Sequence, residues 1–122
     1  MWNKYHNRVI KIGSERFHSM KELRRWNELL LLAENGVISD PQREVKFVLI
    51  PAQREEETVT PRGKTRPGKV IERELCYYAD FCYYTQDDGK FHVEDAKGMK
   101  TEVYKIKKKL MLYIHGIRIE EI

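Results

Sequence analysis

Two short runs carry the residues best suited to chemistry: Tyr78-Ala79-Asp80-Phe81 and Val93-Glu94-Asp95-Ala96-Lys97-Gly98. Both read as strands, and successive side chains of a strand alternate between its faces. Asp95 and Lys97 therefore point one way, and Glu94 points the other, as a surface residue or at most an outer helper. The segment between the runs, Gln86-Asp87-Asp88-Gly89-Lys90, contains an Asp-Gly pair, a strong hairpin signal. A hairpin makes the runs antiparallel neighbours and brings Asp80 close to Asp95 and Lys97. Two carboxylates and an ammonium on one sheet surface can gather a hard divalent cation and an activated water. All-oxygen ligands make magnesium (Mg2+) the expected ion, with manganese (Mn2+) able to substitute. The competing reading is a plain ion pair of Asp80 with Lys97 that also accounts for Asp95. An acid among Tyr77, Tyr78, Phe81, Tyr83 and Tyr84 is costly unless it is paired or bound to a cation.

In the metal reading, Lys97 lies against the attacking water or stabilises charge developing on a phosphate. Glu22 closes Ser19-Met20-Lys21-Glu22, which fits a capping box, and on the residues alone capping is its better role. The net charge of +4 is modest, so its distribution says more than its size. Lys97, Lys100, Lys105, Lys107, Lys108 and Lys109 crowd one region; Arg54, Arg62, Lys64, Arg66 and Lys69 crowd another. By themselves these are a solvated helix face and a loop. Beside the acids they suit a polyanion whose backbone approaches the carboxylates. Tyr104 either touches that backbone or belongs to the core. His6, His18, His92 and His115 share no ligand spacing, the Ser, His and Cys residues form no nucleophilic arrangement, and no Gly-rich phosphate loop appears, so no organic cofactor is expected.

The elements that must position these groups follow from periodicity. Val9–Ile12 and Glu15–Phe17 flank Gly13-Ser14 as a small hairpin. Ser19 opens a helix of about residues 20–35, with Leu23, Trp26, Leu30 and Ala33 at helical spacing, broadened by Met20, Leu29 and Leu32; Asn35-Gly36 ends it. Pro41 leads into a strand from Glu44 to Ile50, apolar on both faces and so expected to be buried on both. Residues 52–69, with Glu55-Glu56-Glu57, Pro61, Gly63, Pro67 and Gly68, read as a long, flexible basic loop. Val70 to Thr85 reads as one long strand, paired with Phe91 to Lys97. Thr101 caps a second helix to about His115, its expected core stripe Val103, Ile106, Leu110, Met111 and Ile114. Ile117 to Ile122 is a final strand, parallel to the one before the helix. The fold class is α/β: one domain, residues 1–122, with a central mixed sheet flanked by helices in the order hairpin-α-β-β-β-α-β.

At 122 residues the chain has room for one core, and 34% charged residues fit a small soluble domain. No apolar run approaches the roughly 20 residues that span a bilayer, so no membrane role is expected. The first residues lack the apolar stretch of a signal peptide, so the cytoplasm is the expected location. Cys76 and Cys82 lie six residues apart on one strand, roughly 20 Å along it. That is far beyond the about 7 Å a disulfide spans.

The order Asp, spacer, Asp-x-Lys resembles the PD-(D/E)XK nuclease superfamily. More narrowly, the chain resembles a family of small phage and prophage nuclease-like proteins. The resemblance rests on Phe17-x-Ser19-x-x-Glu22, Tyr78-Ala79-Asp80-Phe81, Val93-Glu94-Asp95-Ala96-Lys97-Gly98, Thr101-Glu102-Val103-Tyr104 and the lysine-rich helix that follows. It covers most of the chain, residues 52–69 least. Ala79 stands where the superfamily has its proline, and Asp95 where Glu is commoner; neither change removes a ligand. The resemblance implies a restriction-endonuclease-like core and a Mg2+-dependent DNA endonuclease of phage recombination, repair or processing, working in the bacterial host cytoplasm if phage-encoded. It implies Asp80, Asp95 and Lys97 as catalytic residues, and it moves Glu22 from helix cap to metal-associated acid. Lys100, Lys105, Lys107, Lys108, Lys109, Arg62, Lys64 and Arg66 become the expected DNA contacts. A homodimer would suit paired cuts on two strands. The rival expectation is a noncatalytic DNA-binding or recombination-accessory module on the same fold, and a third is an RNA-directed nuclease.

Overall fold

The computed structural model describes residues 10–12 and 15–122. The chain forms β1 (Ile10–Ile12), β2 (Glu15–Phe17), α1 (Met20–Glu34), β3 (Ile38–Ile50), β4 (Gln53–Arg54), β5 (Thr58–Val59), β6 (Thr65–Arg66), β7 (Val70–Glu72), β8 (Leu75–Thr85), β9 (Phe91–Asp95), α2 (Glu102–His115) and β10 (Glu120–Glu121). β1 and β2 pair antiparallel, Ile10 opposite Phe17; the expected Gly13-Ser14 turn between them, like Val9, lies outside the described residues. The central sheet is mixed, in the order β10-β9-β8-β3. Among the described residues only β10 and β9 run parallel, and the Ile122 N–H donates to the Asp95 carbonyl at 3.0 Å to close that edge. Among the described residues the fold is thus α/β, with two helices on a mixed sheet. No helix among the described residues is long and apolar enough to cross a membrane.

Local signals set both helices. Ser19 Oγ accepts the Glu22 N–H and Thr101 Oγ1 accepts the Tyr104 N–H, each at 3.1 Å, satisfying donors that a helix start leaves orphaned. Gly116 ends α2 in the left-handed conformation, φ 67°, where a side chain would be strained. Which face each helix buries departs from expectation. α1 buries Glu22, Trp26 and Leu29, while Met20 and Leu30 are exposed. α2 buries Tyr104 and Met111, with Leu110 packed partly against the core; Val103, Ile106 and Ile114 of the expected stripe face outward, as does Tyr113 at 88% exposure. Tyr104 fills the core, while Lys107 and Lys108 are half-buried on the same helix, Lys108 with its ammonium on Glu121.

Each helix covers its own part of the sheet. Tyr77, Ala79, Cys82, Val93 and Leu49 pack with Tyr104 and Met111 of α2; Phe81, Tyr83 and Ile38 pack with Trp26 and Leu29 of α1 and Phe17 of β2. Along the β3–β8 ladder the buried face switches. Arg43↔Phe81 faces α1, yet Val45↔Ala79, two residues on and by simple alternation on the same side, packs toward α2. Between them Glu44 takes φ 52°, an uncommon value for a residue with a side chain. The pairs Arg43↔Phe81 and Val45↔Ala79 bracket Glu44 on β3 and Asp80 on β8, at the switch itself.

Further strand expectations are corrected. β3 begins at Ile38 and is an edge strand; toward its end Leu49 is buried while Val48 and Ile50 are exposed, so that part is covered on one face and not on both. The single strand of residues 70–85 is broken at Arg73-Glu74 into β7 and β8, β9 stops at Asp95 instead of Lys97, and β10 holds only Glu120 and Glu121. Residues 52–69 are no irregular loop. β4 pairs with β7 and β5 with β6, so the β3–β8 hairpin continues outward as a two-step ribbon carrying Arg62, Lys64 and Arg66. The ribbon crosses itself closely at Gly68, where a Cβ would overlap the Glu55 carbonyl and where Arg54 donates to the Gly68 carbonyl at 3.0 Å. Gly68→Ala is therefore expected to open the ribbon and leave the central sheet intact. Hydrogen exchange should show lost protection at Glu55 with unchanged protection at Phe81.

Candidate active site

A cleft of about 750 Å³ opens between the starts of the two helices. Ser19 and Glu22 line it from α1, Thr101, Tyr104 and Lys107 from α2, and Asp80, Tyr77 and Lys97 from the sheet and the segment after it. Both helix N-termini face this cleft, and each carries partial positive charge from its unpaired N–H groups.

Asp80 and Asp95 meet as expected from the hairpin. β8 and β9 pair antiparallel with Phe81 opposite Glu94, so one step further sets Asp80 against Asp95. Asp80 Oδ2 accepts the Ala96 N–H at 2.7 Å, pinning the start of the segment that carries Lys97. Asp95 is 0% exposed and does not itself line the cleft, as its neighbours Tyr77, Asp80 and Lys97 do. The Tyr77 hydroxyl donates to its Oδ2. Its Oδ1 is buried with no hydrogen-bond partner, 3.7 Å from the Lys97 ammonium. Burial pushes the Asp95 carboxyl up to about 6; the neighbouring Asp80 charge adds to this, and Tyr77 and Lys97 oppose it. Lys97 is 38% exposed along its side chain, with its ammonium 5.5 Å from the Tyr104 ring. Its ion-pair partner here is Asp95, where the sequence suggested Asp80.

Glu22 reaches the cleft in a role between the two expected for it. Ser19 caps the Glu22 N–H, but the Glu22 carboxylate turns to Arg43, with Oε1 3.4 Å from the guanidinium. Burial raises its carboxyl pKa and the Asp80 charge raises it further, against the pull of His18 and Arg43. Arg43 is itself fixed by stacking 3.8 Å over the Phe17 ring and by donating to the Arg16 carbonyl. Among the described residues no group of three His, Cys, Asp or Glu side chains is close enough to hold a metal ion. The acids are an Asp80–Asp95 pair, with Glu22 held on Arg43 nearby.

Glu94 does point away from Asp95, but it is no surface residue. It is 2% exposed and accepts two bonds from Arg25, at 2.8 and 2.7 Å, and one from the Tyr83 hydroxyl. The pair ties α1 to β9. The expected DNA-contacting lysines divide. Lys107 lines the cleft. Lys108 and Lys100 converge on Glu121, at 2.7 and 3.5 Å, and Lys105 pairs with Glu102 at 3.1 Å. Lys109 is exposed, and Arg62, Lys64 and Arg66 sit on the ribbon outside the cleft wall.

Sequence reasoning did not find Tyr77, Arg43 or Glu121 as parts of the site. Tyr77 and Asp95 share a face only because alternation breaks at Asp80, and Arg43 meets Glu22 across 21 residues with no local signature. Glu121 had a weak signal, an acid on a strand expected beside the motif strand. No curated protein and no solved structure matches the chain. A family model does match, over residues 2–118, a span that takes in Glu22, Asp80, Asp95 and Lys97 and stops short of Glu121. The chain belongs to the family described as Protein of unknown function (DUF1064).

Proposed function

We propose that the chain is a metal-dependent nuclease that hydrolyses DNA phosphodiester bonds endonucleolytically, on a restriction-endonuclease-like core, in phage DNA recombination, repair or processing. The observation that carries this reading is Asp95 Oδ1, a fully buried carboxylate oxygen without a hydrogen bond, beside a second carboxylate and a lysine at a cleft. A buried carboxylate oxygen with no hydrogen bond and an ammonium no nearer than 3.7 Å is costly, and such an atom calls for a closer partner. The donors are oxygens only, which fits Mg2+ or Mn2+. Asp80 and Asp95 would hold the ion, with Glu22 close by on α1. Such an ion, when bound, polarises a phosphoryl oxygen and lowers the pKa of a bound water. The protein's own share is positional. Lys97 would turn from Asp95 to the phosphate or the attacking water, while Lys107 and the two helix N-termini attract the DNA backbone. The rival accessory-module reading draws on one observation, that Glu22 is engaged by Arg43.

Supercoiled plasmid separates the two. Nicking should need Mg2+ or Mn2+, stop with chelator, and fall at least about 100-fold in Asp80→Asn, the upper range even for loss of an outer partner. Glu22→Gln should melt no lower than wild type at neutral pH, because burial already disfavours the charged form, yet cleave more slowly. Salt-dependent DNA binding with no nicking under either metal would favour the accessory module.

A further inference from the structure

We infer that Tyr77 is the positioning residue of Asp95, selecting the carboxylate oxygen that faces the cation; the inference rests on the nuclease reading above. The two oxygens of a carboxylate are chemically equivalent, and the torsion that exchanges them is broad and nearly two-fold. Something in the fold must distinguish them if one is to be presented to a ligand. At Asp95 that is the Tyr77 hydroxyl, which donates to Oδ2 and leaves Oδ1 as the buried oxygen with no hydrogen bond, on the Lys97 side. Tyr77 is well placed to hold the choice. It is 2% exposed, its ring stacks on Phe47 with centroids 6.5 Å apart, and Tyr104 tilts against it at 6.4 Å. A phenol fixed in this way cannot follow a rotating carboxylate.

Tyr104 provides the internal control. Its ring lies under Lys97, but its hydroxyl goes to Glu121 Oε2 at 3.0 Å, away from Asp95. Partners that orient a metal ligand are worth about 10–100-fold in metal affinity. Mn2+ binding to the full chain without DNA, followed by calorimetry and by electron paramagnetic resonance, tests the assignment. Tyr77→Phe and Tyr77→Met should each bind Mn2+ about 10–100-fold more weakly than wild type. Tyr104→Phe should bind as wild type does. On the unaltered chain, Mg2+ should shift the Tyr77 ¹³Cζ resonance, because a cation on Oδ1 draws charge from the oxygen that the hydroxyl touches. Wild type that takes up no Mn2+ would overturn the nuclease reading and this inference together. Normal Mn2+ affinity in the Tyr77 variants, equal losses in Tyr77→Phe and Tyr104→Phe, or an unmoved Tyr77 signal would overturn this inference and leave that reading standing.

Discussion

Asp95→Asn is expected to end cleavage and, at the same time, to stabilise the protein at neutral pH by about 3 kcal/mol. The carboxyl moves from 3.8 to about 6 on folding, chiefly through burial, and each unit is worth about 1.4 kcal/mol. Between pH of about 4 and 6 the folded state holds a proton that the unfolded chain has released, so stability falls as pH rises through this window. Below it the contribution of Asp95 is fully present; above it the folded state carries an ionised carboxylate that it solvates poorly. Asparagine removes the charge but keeps an acceptor for the Tyr77 hydroxyl. Urea denaturation of wild type should therefore lose stability from pH 4 to pH 6, and the variant should lose less. Mg2+ should restore wild type above pH 7, since a ligand that binds only the folded state stabilises it by mass action, and should leave the variant unchanged. An Asp95→Asn protein less stable than wild type at pH 8 would mean that Lys97 already neutralises this acid, leaving nothing for a cation to do.

What could be read in the sequence was whatever local chemistry decides. The Ser19 and Thr101 caps, the Gly116 stop and the Asp-Gly hairpin that sets Asp80 near Asp95 each depend on residues within a few positions of one another. The parallel β9–β10 pair followed from a helix joining two strands. The misreadings have physical causes. The ribbon of residues 53–72 is exposed on both sides, so its strands carry no apolar alternation, and its order rests on backbone pairing and on Gly68. Periodicity located an apolar stripe on α2, but the fold prefers the face with Tyr104 and Met111 and leaves Val103 and Ile106 in solvent. Most consequential is Glu44. Nothing in its type announces a positive φ, yet there the sheet changes its buried face, which sends Arg43 to Glu22 while Val45 and Ala79 pack with Tyr77 on the α2 side.

Arg25→Met is expected to cost about 3–5 kcal/mol, the usual penalty for stranding one member of a buried ion pair. Strand alternation correctly turned Glu94 away from Asp95 but could not tell that α1 covers that side. Covered, Glu94 is 2% exposed and depends on the paired bonds from Arg25, which in turn hold the guanidinium more firmly protonated. Without them the carboxylate keeps only the Tyr83 hydroxyl. The double variant Arg25→Met/Glu94→Gln should recover most of the loss, because the amide needs no counter-charge and can still accept from Tyr83; the cycle separates the pair from the packing of the arginine stem. The consequence reaches the cleft, since Arg25 lies one turn along α1 from Glu22 and the pair fixes that helix against β9. Arg25→Met should therefore weaken cleavage through loss of α1 order, with amide exchange rising at Glu22 before it rises at Val93. Equal stability in Arg25→Met and wild type would show that Tyr83 and solvent alone suffice for Glu94, and that α1 is held by its apolar face of Trp26 and Leu29.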